Sequence, residues 1–125
     1  MATLQCFEND AALLQALAHG VRHTQGIKTV TTSTRDLFRN PIDHTDLKPF
    51  NAAIIDPPRA GAEQQVGQLA RSDLRDIVMV SCNPVSFARD AASLCNGGYS
   101  LKWIEWVDQF RWSPPIEIVA PFSKV

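Results

Sequence analysis

Ile77-Val78-Met79-Val80-Ser81-Cys82-Asn83-Pro84-Val85 is the stretch that decides the fold. An unbroken apolar run without alternation predicts a short strand of a parallel sheet, covered on both faces. Proline cannot extend a central ladder but suits the first turn of a helix, and asparagine is a favoured N-cap. The stretch therefore reads as strand, turn and helix, with a thiol at the turn. A second stretch is built the same way: Ala52-Ala53-Ile54-Ile55 runs into Asp56-Pro57-Pro58-Arg59, where proline ends the strand. Open α/β sheets bind ligands at the carboxyl ends of their strands, so one shared sheet edge is expected to carry the function.

Working outward, residues 3–7 are apolar enough for a first strand, and Asn9 or Asp10 can cap a helix in which Leu13, Leu14, Leu17 and Val21 recur at helical spacing. Residues 28–32 are rich in threonine and predict a second strand. Residues 39–49 read as a loop and 50–55 as the third strand. Residues 62–70 form a weaker helical pattern, with Val66, Leu69 and Ala70 on one face. The helix after Pro84 is expected to bury Ala88, Ala91, Ala92 and Cys95 and to stop at Gly97-Gly98. Residues 99–107 and 116–122 read as a final antiparallel pair. The order predicts an α/β fold in one domain over residues 1–125, with a mostly parallel sheet and an antiparallel C-terminal pair.

A net charge of -1 argues against an autonomous nucleic-acid binder, although Arg35, Arg39, Arg59, Arg71, Arg75, Arg89 and Arg111 could form a local basic patch. The three cysteines, Cys6, Cys82 and Cys95, form no Cys-x-x-Cys pair, and no metal site is expected. Their odd number fits free thiols in a reducing compartment, with the cytoplasm as the default. No apolar run approaches the roughly 20 residues of a membrane helix, and no signal peptide is visible.

The expected strand ends carry Glu8, Asp36, Asp56 and Cys82. Acids at such positions often only cap helices or close turns. A carboxylate such as Glu8 can also accept both hydrogen bonds of a ribose diol, as in nucleotide-binding α/β folds, although no G-x-G-x-x-G is present. For Cys82, the start of the next helix presents the positive end of a dipole, which favours the reactive thiolate. Its bland alternative is a buried structural cysteine, which is how Cys6 and Cys95 read. Trp103, Trp106 and Trp112 read as core and edge packing or as an interface.

Together these residues resemble the RNA uracil-C5 methyltransferases, which make 5-methyluridine using S-adenosylmethionine. Asp56-Pro57-Pro58-Arg59-Ala60-Gly61 is similar to the family's D-P-P-R-x-G motif. Ser81-Cys82-Asn83-Pro84, followed by Ala88-Arg89-Asp90, resembles its S-C-N-P motif and helix. Asp108-Gln109-Phe110 through Ile116-Glu117 resembles its terminal D-x-F-P-x-T-x-H-x-E motif, with Arg111 in place of proline, Ser113 of threonine and Pro115 of histidine. The resemblance implies a Rossmann-like class I methyltransferase sheet that lacks the first strand and Gly-rich loop, so that the chain would be a single partial methyltransferase domain. It implies that Cys82 adds to uracil C6 and Glu117 removes the C5 proton. Asp56 and Arg59 would contact the RNA substrate, in rRNA or tRNA. Glu8 and Asp36 would hold the ribose and adenine of S-adenosylmethionine, with Asp56 shaping the same pocket. With the first strand missing, the first and third strands are expected to pair directly, or a second copy of the chain or a missing N-terminal portion would complete the sheet.

Two other readings compete. A methyltransferase for exocyclic amines would carry an aromatic residue where Arg59 stands and would have no use for Cys82. A non-catalytic fragment or interaction module would keep the fold and fail to bind the cofactor alone; titration with S-adenosylmethionine separates that reading from the catalytic one.

Overall fold

The computed structural model describes residues 3–26, 28–108 and 116–124, and the chain divides into two units, Met1–Asn40 and Pro41–Val125. In the first unit, Asp10 accepts hydrogen bonds from the N–H groups of Ala12 and Leu13 and so starts α1 (Ala11–Arg22) between β1 (Leu4–Glu8) and β2 (Val30–Thr34). The strands pair in parallel from Leu4↔Val30 to Glu8↔Thr34. Only Leu14 of the expected α1 stripe is buried, while Leu13 and Leu17 stay exposed. Two strands span about 10 Å, roughly one helix diameter, so the sheet covers a single row of the helix.

The second unit contains β3 (Ala52–Ile55), α2 (Glu63–Arg71), β4 (Asp76–Ser81), α3 (Pro84–Asn96), β5 (Tyr99–Leu101), β6 (Glu105–Asp108) and β7 (Ile116–Lys124). Its sheet runs β3-β4-β7-β5, with β6 also on β7. β3 and β4 are parallel, and β7 is antiparallel to β4, β5 and β6. The α/β class and mixed sheet agree with the sequence. The expected direct pairing of the first and third strands does not occur, because β1 and β3 belong to different sheets.

Three further expectations are corrected. β4 does alternate: Ile77, Met79 and Ser81 are buried, whereas Val78 and Val80 are half-buried. The same face leaves Ile54 of β3 77% exposed. An apolar run therefore does not by itself mean two covered faces. Of the expected α3 stripe only Ala91 is buried, while Ala88, Ala92 and Cys95 are exposed; the buried row is Ser86, Phe87, Asp90, Ala91 and Leu94. Phe87 and Leu94, two turns apart, carry far more apolar area than the alanines and set the helix rotation. Finally, residues 99–107 are two strands. From Leu101↔Phe122 to Glu105↔Val119 the outer strand has one residue more than β7, a bulge at residues 102–104. The Pro121 carbonyl accepts from Lys102 N–H at 2.9 Å, so the position where proline lacks an N–H faces this same neighbour and interrupts the ladder. Trp103 and Trp106, at 55% and 57% exposed, are not core residues; Trp112 lies outside the described residues.

The core of this unit joins Val66, Leu69 and Leu74 to Ile77, Met79, Leu94, Ile118 and Phe122, each almost completely buried. Burial of a side chain of this size contributes roughly 1.5–3 kcal/mol. The Tyr99 hydroxyl donates to the Leu74 carbonyl at 2.6 Å, and Lys124 Nζ donates to the Ser72 carbonyl at 2.9 Å, which ties the end of α2 to the sheet. Gly97 ends α3 against α2 so closely that a Cβ there would collide with the Ala70 carbonyl, with its nearest side-chain atom, Ala70 Cβ, at 2.9 Å. Gly97→Ala is expected to destabilise the chain by about 2 kcal/mol, read as a lowered midpoint in urea with an unchanged slope. Among the described residues, no helix is long and apolar enough to cross a membrane.

Candidate active site

β3 and β4 are parallel, and β4 runs two residues past their last pair, Ile55↔Met79, so the residues just beyond them lie at the same edge of the second unit's sheet, two residues out of step. Asp56 follows the last residue of β3, and Cys82 follows the last residue of β4. β7 begins at the same edge in the opposite direction, with Glu117 as its second residue. The last β4–β7 pair is Ser81↔Ile118. The residues next outward from that pair are Cys82, in the bend after β4, and Glu117. In the pleat, Glu117 shares a face with Val119 and Pro121, which pair with Val80 and Val78. Cys82 and Asp56 lie one residue beyond β4 and β3, and the strand alternation, if carried that one residue further, would place them on that face. The opposite face, with Ser81, Ile118 and Ile55, is the buried one. Cys82 and Glu117 are both half-buried and Asp56 is exposed, so the thiol is not sealed in the core.

The two loops bearing Asp56 and Cys82 are locked to each other. Asn83, the N-cap of α3, accepts from Val85 N–H at 3.1 Å through Oδ1 and donates from Nδ2 to the Arg59 carbonyl at 3.0 Å. Ser86 Oγ donates to the same carbonyl at 2.9 Å. Arg89 Nη2 donates to the Ala60 carbonyl at 3.0 Å, and Ala62 N–H donates to Asp90 Oδ2 at 2.9 Å. Arg89 also pairs with Asp90 at 3.0 Å, and this contact pushes its guanidinium pKa up. Asp90 itself is 1% exposed. Gly61 crosses this network at φ +80, where a Cβ would stand 2.6 Å from Arg89 Nη2 and 2.7 Å from Asp90 Oδ2. Only glycine suits both the backbone conformation and the space. The sequence reading did not single out this network. Its signal was there: Asn83, Ser86 and Asp90 recur at three and four, the spacing of one helix face.

Glu8 and Asp36 lie at the carboxyl ends of β1 and β2 in the first unit. Glu8 Oε1 accepts from Asn9 N–H at 3.0 Å and Asp10 N–H at 3.2 Å. Asp36 Oδ1 accepts from Phe38 N–H at 3.0 Å and Arg39 N–H at 3.4 Å. Both carboxylates are thus oriented by local turns. The structure therefore gathers Asp56, Arg59, Cys82 and Glu117 at one edge of the second sheet, and Glu8 and Asp36 at one edge of the first. Arg111, Ser113 and Pro115 of the terminal motif lie outside the described residues. Among the described residues, no group of three or more His, Cys, Asp or Glu side chains could hold a metal ion.

The chain resembles known proteins along most of its length. It is 50% identical over 123 residues to an uncharacterized RNA methyltransferase of Brucella suis, covering 98% of this chain and 30% of that protein. Over 76 residues it is 42% identical to the 23S rRNA (uracil(1939)-C(5))-methyltransferase RlmD of Acinetobacter baylyi, covering 61% of this chain and 16% of that protein. The chain thus spans about 30% of the length of the curated relatives that match it over nearly its whole extent. Its fold is shared with the Pyrococcus abyssi tRNA (uracil-54, C5)-methyltransferase, solved in complex with S-adenosyl-L-homocysteine, at a TM-score of 0.77 and 24% identity, covering 96% of this chain and 33% of that one. The sheet is accordingly of the class I methyltransferase type. Residues 21–124, which contain both locked loops and β7, match the tRNA (uracil-5-)-methyltransferase family, and the chain belongs to that family.

Proposed function

We propose that this chain carries the catalytic groups of an S-adenosylmethionine-dependent RNA uracil-C5 methyltransferase acting on rRNA or tRNA, with Cys82 as nucleophile and Glu117 as base. The observation that carries the reading is the register of β4 and β7, which runs from Ser81↔Ile118 toward Cys82 and Glu117 on the less covered face of the sheet. Relatives named for RNA methylation support the substrate class.

Bound S-adenosylmethionine would supply an electrophilic methyl group. The residues fit this cofactor: each of Glu8 and Asp36 has one carboxylate oxygen held by backbone N–H groups, which orients the other as an acceptor for ribose hydroxyls or the adenine amine, although Asp36 Oδ2 also lies 3.9 Å from the Arg39 guanidinium. Asp56 is assigned to the edge of the target uracil. Arg59 offers a cation to the RNA backbone.

Uracil C5 is a weak nucleophile. The Cys82 thiolate adds to C6, forming an S–C6 bond and shifting an electron pair toward C5 as an enolate. Once C5 has gained its methyl group, the Glu117 carboxylate takes the remaining C5 proton. The C5–C6 double bond re-forms, the S–C6 bond breaks and the thiolate returns. The target base must leave its stack for these groups to reach it.

Glu117→Gln tests the assignment in the longest natural form of the protein. Turnover is expected to fall about a hundredfold or more, while addition of Cys82 proceeds. A protein–RNA adduct that survives denaturing electrophoresis should then accumulate. Wild-type turnover without adduct would exclude Glu117 as the base.

A further inference from the structure

We infer that Asn83 is a positioning residue of the reaction proposed above: it holds the Asp56-Pro57-Pro58-Arg59 loop against the turn that carries Cys82. The inference rests on Cys82 being the nucleophile. The β3–β4 ladder ends at Ile55↔Met79, short of both chemical groups. Beyond it, the junction continues through side chains. The Asn83 amide works in two directions at once, accepting from Val85 N–H at 3.1 Å and donating to the Arg59 carbonyl at 3.0 Å. Capping alone would accept serine or aspartate about equally well. The second contact needs a donor on the other arm of the same side chain, which only an amide of this length supplies. Asn83 follows Cys82 directly, so the position of the sulfur is tied to the clamp through one peptide unit. Ser86, Arg89 and Asp90 extend the clamp along residues 59–62, but none of them adjoins Cys82 in sequence.

Asn83→Ser and Asn83→Asp both keep the cap and lose the Nδ2–H that reaches the Arg59 carbonyl, the serine hydroxyl being too short to span that contact while it caps, so helix α3 should form as before. A displacement of about 1 Å between reacting groups can cost up to about a hundredfold. For each variant of the longest natural form, kcat for RNA methylation is expected to fall about tenfold or more, with KM within about twofold and the melting temperature little changed. Iodoacetamide labelling of the chain without RNA or cofactor, resolved by peptide mass spectrometry, gives a second readout. Release of the loop should speed modification of Cys82 and leave Cys6 and Cys95 unchanged. Wild-type kcat and wild-type labelling in both variants would overturn the inference. So would faster labelling of all three cysteines with a lowered melting temperature, which marks a merely structural role. Cys82→Ala is assayed alongside. If it retains methyl transfer, the nucleophile assignment and this inference fall together. If it is inactive while Asn83→Ser and Asn83→Asp keep full kcat, this inference alone fails.

Discussion

Cys82→Ala is expected to abolish RNA methylation by the longest natural form of the protein, a loss of at least about a thousandfold, or ~4 kcal/mol of transition-state stabilisation. Without the sulfur no bond to C6 forms, and C5 gains no enolate character. Binding and orientation of the base do not replace that bond, because they leave the electron demand at C5 unchanged. The variant should also form no denaturation-resistant adduct with RNA, and combining it with Glu117→Gln should remove the adduct that Glu117→Gln accumulates. The readouts are transfer of a labelled methyl group and a denaturing gel. Retained transfer would exclude Cys82 as nucleophile. The thiol is half-buried and stands between β4 and α3, so its removal leaves no large cavity and the fold should persist.

Asp90→Ala is expected to cost about 3 kcal/mol of stability. The Asp90 side chain is 1% exposed, accepts from Ala62 N–H at 2.9 Å and pairs with Arg89 at 3.0 Å. Its loss leaves that N–H without its acceptor and deprives the Arg89 guanidinium of its nearest carboxylate, with the Ala60 carbonyl and Glu63, at 3.8 Å, remaining to it. The figure lies at the low end for a broken buried pair because the Arg89 side chain is 42% exposed and water can meet it. Asp90→Asn, which retains an acceptor for Ala62 N–H, should cost markedly less. Urea unfolding of the three proteins measures the order. Since small domains hold only about 5–15 kcal/mol in all, an Asp90→Ala curve that overlays the wild type would mean that solvent fully replaces the carboxylate.

The strand–turn–helix character of residues 77–85 was legible because it is local: an apolar run, an N-cap and a proline each act within one or two residues. The same holds for Asp10 at the start of α1 and for Asp56-Pro57-Pro58 at the end of β3. The rotation of α3 was not legible, because the spacing of Ala88, Ala91, Ala92 and Cys95 is as helical as that of Phe87, Asp90, Ala91 and Leu94. Which row is buried depends on what the sheet offers it. The break between β5 and β6 depended on which neighbour Pro121 faces, a fact that exists only once β7 lies between two partners.

By itself the sequence determined the α/β class and the order of its elements as far as residue 98, and it nominated the residues proposed for the chemistry: Cys82, Glu117, Asp56, Arg59, Glu8 and Asp36. Tertiary structure alone decided that β7 runs antiparallel in the register that leads Glu117 toward Cys82, and that Asn83, Ser86, Arg89 and Asp90 bind the loop after Asp56. Periodicity reports how a segment repeats along its own axis, whereas register and side-chain clamps join segments tens of residues apart. Their geometry is set by packing between elements, which no local pattern encodes.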